Sequence, residues 1–365
     1  MYSVDLETYY MFDLIGKWYR KKFSDPDAMM LLLLILFVSA LIFIWGSYIM
    51  PVLIAIVLAY LLDSSVDRLE QQKLSRALAT TIVMVLFVGV TLIGTLSLLP
   101  TISKQSVNLV EELPLIWQGG QSWLLTLPEK YPELVQAEQI KSMMSQINDA
   151  LVSLTQNIIS VSFASLISVG ALLIYLILVP LMMFFMLKDK PIFMANVSYL
   201  LPKERRLITQ VGREMNIQIG NYIRGKVIEI LIVGAASCIA FVLMDLRYAI
   251  LLGVLVGFSV LIPYIGAAVV TIPVAFVALF QWGFSAEFGY LMLVYGIIQA
   301  LDGNLIVPIL FSEAVALHPL YIIVAVLFFG GIWGFWGVFF AIPLATLVKA
   351  LITAWSNDDG VPLGE

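Results

Sequence analysis

The chain has 365 residues, 61% of them hydrophobic and only 12% charged. A soluble domain carries about half apolar and a quarter charged residues, so a water-soluble globular protein is excluded. The net charge of −5 comes without a basic patch, which argues against a nucleic-acid partner. The single cysteine, Cys238, rules out an intramolecular disulfide, and its apolar surroundings mark it as a small packing residue.

Apolar runs of about twenty residues recur along the chain, each long enough to cross a bilayer as a helix. They do not alternate as barrel strands would. The expected fold is therefore an all-α polytopic integral membrane protein with about eight to ten membrane segments.

Residues 1–28 read as a cytoplasmic amphipathic segment, with Lys17, Arg20, Lys21 and Lys22 facing headgroups; no cleaved signal peptide is expected. The uncharged run 29–62 would be about 50 Å long as a helix, against a hydrocarbon core of roughly 30 Å. Basic residues flank both of its ends, so it should turn back, with the break at Pro51. That hairpin and a third span fill residues 29–99. Residues 100–160 read as a non-cytoplasmic helical excursion, broken by Pro114, Pro128 and Pro132 into short pieces, with an amphipathic helix from Glu133 onward. Residues 161–187 return as a span. Residues 188–226 carry eight basic residues against three acids and read as a cytoplasmic helical loop. Residues 227–350 form a C-terminal membrane bundle with broken helices, and 351–365 a short acidic tail. Within that bundle no lysine or arginine occurs between Arg247 and Lys349, so charge gives no orientation there. The run 320–348 is interrupted by "GGIWGFWG" and reads as a second hairpin.

Three acids remain in that stretch, Glu287, Asp302 and Glu313. Glu287 and Glu313 fall near the ends of apolar runs. Asp302 lies fourteen residues past Phe288, deep in its run, where a carboxylate costs about 2.5–3.5 kcal/mol. Gly303 and Pro308 can open the helix beside it, and Gln299 and Asn304 add amides. A broken helix bearing a carboxylate is a common way to build an ion or substrate site; the alternative is Asp302 as hydrogen-bonded glue between helices. A second break is expected at Pro263, Tyr264 and Gly266, either as a hairpin turn or lining a pathway. His318 precedes Pro319 and is a candidate proton relay or a plain loop residue. Gly330, Gly331, Gly334, Gly337 and Pro343 suit close helix packing or a hinge. No H-E-x-x-H, G-x-S-x-G, Walker A or metal-ligand cluster is present. The reading is of a non-enzyme without cofactor or metal.

"IPYIG" (262–266), "DGNLIVPILFSEAVALHP" (302–319) and "GGIWGFWGVFFAIP" (330–343), in this order and spacing, resemble the AI-2E family of transporters over nearly the whole chain. "WYRKKFSDPDA" (18–28) and "AIVLAYLLD" (55–63) point to its PerM-type permeases. The resemblance implies a multi-pass bacterial inner-membrane protein of about eight spans that forms a homo-oligomer; the basic residues before the first run place the N-terminus in the cytoplasm. It implies a secondary transporter of a small polar solute, with export of the quorum-sensing molecule autoinducer-2 as one activity and sodium/proton antiport as another. The family pattern falls on Pro263, Tyr264, Gly266, Asp302, Asn304, Pro308, His318, Pro319 and Pro343. Membrane lipid, a small polar solute and sodium or protons are the expected partners. A structural or accessory envelope protein without transport is the competing reading.

Overall fold

The computed structural model describes residues 26–130, 169–200, 206–311 and 317–356, with isolated positions between 138 and 148. The N-terminal segment before Pro26, most of the amphipathic stretch from Glu133, the start of the 161–187 span, Glu313 and the last nine residues lie outside the described residues. Every described secondary element is helical. This is what a bilayer demands, since an unpaired backbone group in hydrocarbon has no water to bond. Among the described residues, six helices are long and apolar enough to span by length and composition, and three shorter apolar helices accompany them.

Helix α1 (Pro26–Gln71) bends at Trp45, where φ is −114° and ψ 18°. The break expected at Pro51 therefore lies six residues earlier, and Pro51 itself is helical. The physical cause is on the N-terminal side of the proline, whose ring collides with the carbonyl four residues back. That carbonyl belongs to Ser47, next to Gly46, and Gly/Ser pairs are where helices kink. Helix α2 (Arg76–Lys130) runs 55 residues and passes through Pro114 and Pro128 instead of breaking at them. Each proline removes a single backbone bond, and the long helix keeps the rest. Helix α3 (Val169–Lys188) packs on α1 and α2 around Ala55, Ala59, Val83, Val179 and Met183. A short α4 (Lys190–Leu200) follows.

Helix α5 (Arg206–Leu243) and α6 (Ala249–Ser259) form the most extensive helix pair. Small residues make this possible: a Cβ on Gly257 would stand 2.9 Å from the Cα of Gly234, and Gly253 packs on Cys238, the packing role expected of that cysteine. After the turn at Val260–Tyr264, α7 (Ile265–Trp282) returns to the end from which α6 started. Gln281 accepts from Arg247 N at 2.7 Å and donates to the Asp245 carbonyl at 2.6 Å. The extension of α2 docks at this same end through Gln105, which accepts from Leu251 N at 2.8 Å, and Glu112, 3.2 Å from Arg247. With only 11 residues, α6 is about 17 Å long and too short to cross.

Helix α8 (Ala286–Leu301) begins at a Ser285 cap that accepts from Phe288 N. It continues through a π-helical turn (Asp302–Ile306) into α9 (Val307–Phe311). Helix α10 (Pro319–Phe339) breaks at Gly334, φ 59° and ψ −135°, and leads into α11 (Ala341–Ser356). The chain reverses at that glycine: a Cβ on Gly337 would overlap the Phe329 carbonyl, and one on Gly330 would meet Val338 at 2.8 Å. "GGIWGFWG" is thus a hairpin tip, as its glycines suggested. The arm before it is about 22 Å long, short of a full crossing. This hairpin packs on α5 and α9 around Tyr222, Phe311, Ile322, Ala325 and Ile342.

Candidate functional site

The π-turn explains itself from Pro308. Its ring would strike the carbonyl of Asn304 in a regular α-helix, and widening the turn relieves the clash. Val307 N accordingly bonds the carbonyl of Asp302, five residues back. The widening also changes which way side chains face. Nine residues of α-helix advance about 900°, which would place Asp302 and Phe311 on opposite faces. Absorbing one residue leaves them about 80° apart, and both then meet α5.

On α5 Phe311 meets Lys226, which forms an ion pair with Glu229 at 2.8 Å, their side chains only 5% and 2% exposed. The Lys226 ammonium also donates to the Val260 carbonyl at 2.8 Å and stands 5.2 Å from the centre of the Phe311 ring. Phe311 packs so closely on α5 that a Cβ on Gly225 would be 2.6 Å from its ring. Asp302 is buried in the π-turn, and its Oδ1 has no hydrogen-bond partner among the described residues. Lys226 therefore joins two of the irregular places in the C-terminal half, the tip of the α6–α7 hairpin and the broken α8–α9 helix.

The other expected residues separate. Gln299 lies one turn before Asp302 and donates to the Tyr295 hydroxyl at 2.8 Å, which is 3.1 Å from Thr271 Oγ1; this polar string lines the same face of α8. Asn304 is exposed and donates back to the Ala300 carbonyl at 2.8 Å. Tyr264 is exposed at the hairpin tip, with a φ of 62°. Beside it Gly266 is obligatory, because any Cβ would overlap the Ser259 carbonyl. His318 caps α10: its Nδ1 accepts from Leu320 N at 3.2 Å, with Pro319 in the first turn. Gly303 and Pro308 are exposed, Gly331 and Gly334 lie exposed around the second tip, and Pro343 is buried in α11. Among the described residues no three His, Cys, Asp or Glu converge as a metal site.

Lys226 and Glu229 were not singled out in the sequence, because "YIRGKVIEIL" continues a basic, polar run. The available signal was their i, i+3 spacing at the point where polar turns to apolar, which puts opposite charges on one helix face.

Broken apolar helices packed around buried charges define a polytopic α-helical membrane protein. Residues 30–357 match the AI-2E family transporter description, and the chain belongs to that family. It is 50% identical over 347 residues to "Putative permease PerM" of Escherichia coli (strain K12), covering 95% of this chain and 98% of that one. It is 29% identical over 321 residues to "Putative transport protein YueF" of Bacillus subtilis (strain 168), covering 87% and 84%. "Putative transport protein YrrI" of the same organism is 26% identical over 309 residues, covering 83% and 85%. The chain is thus a multi-pass inner-membrane protein of a permease family.

Proposed function

We propose that this protein is a secondary transporter that moves a small polar solute through the C-terminal bundle past Asp302, with export of autoinducer-2 as the activity to test first. One observation carries the reading: a buried carboxylate with an unpartnered oxygen sits where α8 widens. Such a group is costly in a membrane protein and is retained where an ion or solute must be bound. Helix breaks at both the α6–α7 tip and the π-turn supply polar backbone beside it. The absence of a Walker A motif from the sequence fits gradient-driven transport. A homo-oligomer is part of this reading, checked by native mass spectrometry; Lys17, Arg20, Lys21 and Lys22 support a cytoplasmic N-terminus, checked by labelling of a terminal tag.

Everted vesicles carrying wild type or Asp302→Asn are loaded with labelled autoinducer-2 in the presence or absence of a proton gradient. Gradient-dependent uptake in wild type, reduced at least tenfold in Asp302→Asn, is the expected result. Uptake equal to that of empty vesicles removes this solute. Equal uptake by wild type and variant removes Asp302 from the pathway.

A further inference from the structure

We infer that Tyr222 and Lys226 are positioning residues that fasten the α6–α7 and α10–α11 hairpins to one turn of α5, and that the Phe311 ring between them makes the two hairpins release together. The purpose of such coupling rests on the transporter reading above; the fastening rests on geometry. Each hairpin carries a carbonyl that its own helix leaves unserved. In a helix a carbonyl receives the N–H four residues on, or three on in a tightened last turn. At the first tip the residue three past Val260 is Pro263, which has no N–H. The residue four past it is Tyr264, whose φ of 62° has left the helix. In the second hairpin the residue four past Phe339 is Pro343, again without an N–H.

A carbonyl away from water must find a donor elsewhere, and α5 supplies both. The Lys226 ammonium donates to the Val260 carbonyl at 2.8 Å. The Tyr222 hydroxyl donates to the Phe339 carbonyl at 2.7 Å. The two donors stand four residues apart on α5, so they leave the same face of the helix. Both residues are almost wholly buried. Glu229 holds the ammonium from the same helix at 2.8 Å, so Lys226 stays with α5 when the tip leaves.

Phe311 bridges the two fastenings. Its ring centre lies 5.9 Å from that of Tyr222 and 5.2 Å from the Lys226 ammonium. The ring is seated on Gly225, where a Cβ would stand 2.6 Å from it. Ile262 of the first tip and Phe329 and Val338 of the second hairpin pack against this same cluster. Closely packed side chains shift between discrete arrangements instead of deforming by degrees. Lifting the second hairpin takes its carbonyl from Tyr222 and frees the ring on which Phe311 leans; Phe311 in turn borders the ammonium that holds the first tip. For a transporter this means one concerted opening in place of two independent ones.

The test follows backbone hydrogen–deuterium exchange of the full chain in lipid nanodiscs, which reads local opening segment by segment. Tyr222→Phe removes only the hydroxyl and keeps the ring against Phe311 and Phe339. Exchange should become about fivefold faster, the size of one lost hydrogen bond, in residues 330–342 and also in residues 258–266. Residues 79–88 of α2, packed in the N-terminal cluster, should not change. When Tyr222→Phe is added to Phe311→Leu, the increase should be confined to residues 330–342. A Tyr222→Phe effect confined to residues 330–342 with Phe311 in place, or no effect at either hairpin, overturns the inference. So does an effect that reaches residues 258–266 without the Phe311 ring, or one that spreads to residues 79–88. The converse variant, Lys226→Met/Glu229→Gln, withdraws the first donor and its counter-charge together, a mild change for a buried pair. It should speed exchange at both hairpins; faster exchange at the first alone overturns the coupling, and this variant decides should Tyr222→Phe not fold. Vesicle flux separates the two readings. Coupled exchange in a protein that moves no solute leaves the coupling and overturns the transporter. Flux through a protein whose hairpins exchange independently leaves the transporter and overturns the coupling.

Discussion

Lys226 sets the energetics of the site. Removing one member of a buried ion pair costs about 3–5 kcal/mol, whereas replacing both is often far milder. Lys226→Ala should therefore lower the thermal unfolding temperature markedly, and the double variant Lys226→Ala/Glu229→Ala should recover much of the loss. A double-mutant cycle by thermal unfolding checks this, and simple additivity of the two substitutions would contradict it. His318 presents the opposite case. Its ring nitrogen receives Leu320 N at the start of α10, so His318→Ala should cost about 1 kcal/mol as a lost cap. His318→Asn, another capping side chain, should retain stability and transport; loss of flux in a stable His318→Asn would instead mark the residue as a proton relay.

At the scale of elements, the two hairpin tips and the π-turn are each built around one or two obligatory residues. A Cβ on Gly266 has nowhere to go but into the Ser259 carbonyl, whereas one on Gly303 meets nothing within 4 Å. Gly266→Ala should accordingly cost about 3 kcal/mol, the upper part of the usual overpacking range. Gly303→Ala should be neutral or stabilise by up to about 1 kcal/mol through reduced chain entropy. Thermal unfolding of the pair in the same detergent distinguishes them. A destabilised Gly303→Ala would mean that the π-turn needs glycine for more than space.

At the scale of the molecule, an ionic cluster far from Asp302 in the sequence ties the N-terminal helices to one another. Arg76 donates to the Leu187 carbonyl at 2.8 Å and pairs with Asp63, Asp67 and Glu70 at 3.4, 3.2 and 2.9 Å. Lys190 reaches Asp63 at 2.6 Å. Arg224 of α5 bonds Ser64, and Tyr60 bonds Asn216, joining α1 to the helix that carries Lys226. Asp67 and Glu70 are more than two-fifths exposed, so their pairs are weak and salt-screened. The share of Asp63 and the Leu187 carbonyl is less accessible and should persist in salt. Arg76→Lys keeps the charge but loses the planar fork. It should lose about 1–2 kcal/mol, read as a lower unfolding temperature that high salt does not erase.

Composition and run length by themselves determined an all-α membrane protein, because hydrocarbon leaves the backbone no alternative to internal bonding. Asp302, Pro308, Pro263, Gly266 and the glycines of "GGIWGFWG" were legible for a similar reason: a charge or a helix breaker in an apolar run is costly wherever it lies. Breaks were less legible in position than in existence. Pro51 acts on Gly46 and Ser47 before it, and Pro114 and Pro128 are carried by the helix on either side. Only the tertiary structure decided that Lys226 and Glu229 are buried, since the same polar residues on a solvated helix end would look identical in sequence. It also decided that His318 is a cap and that Asn304 bonds its own helix. Burial belongs to the packing of α5 against α6, α9 and the second hairpin. Lys226 and Glu229 lie more than seventy positions from Asp302 in the chain, a separation that no local pattern spans.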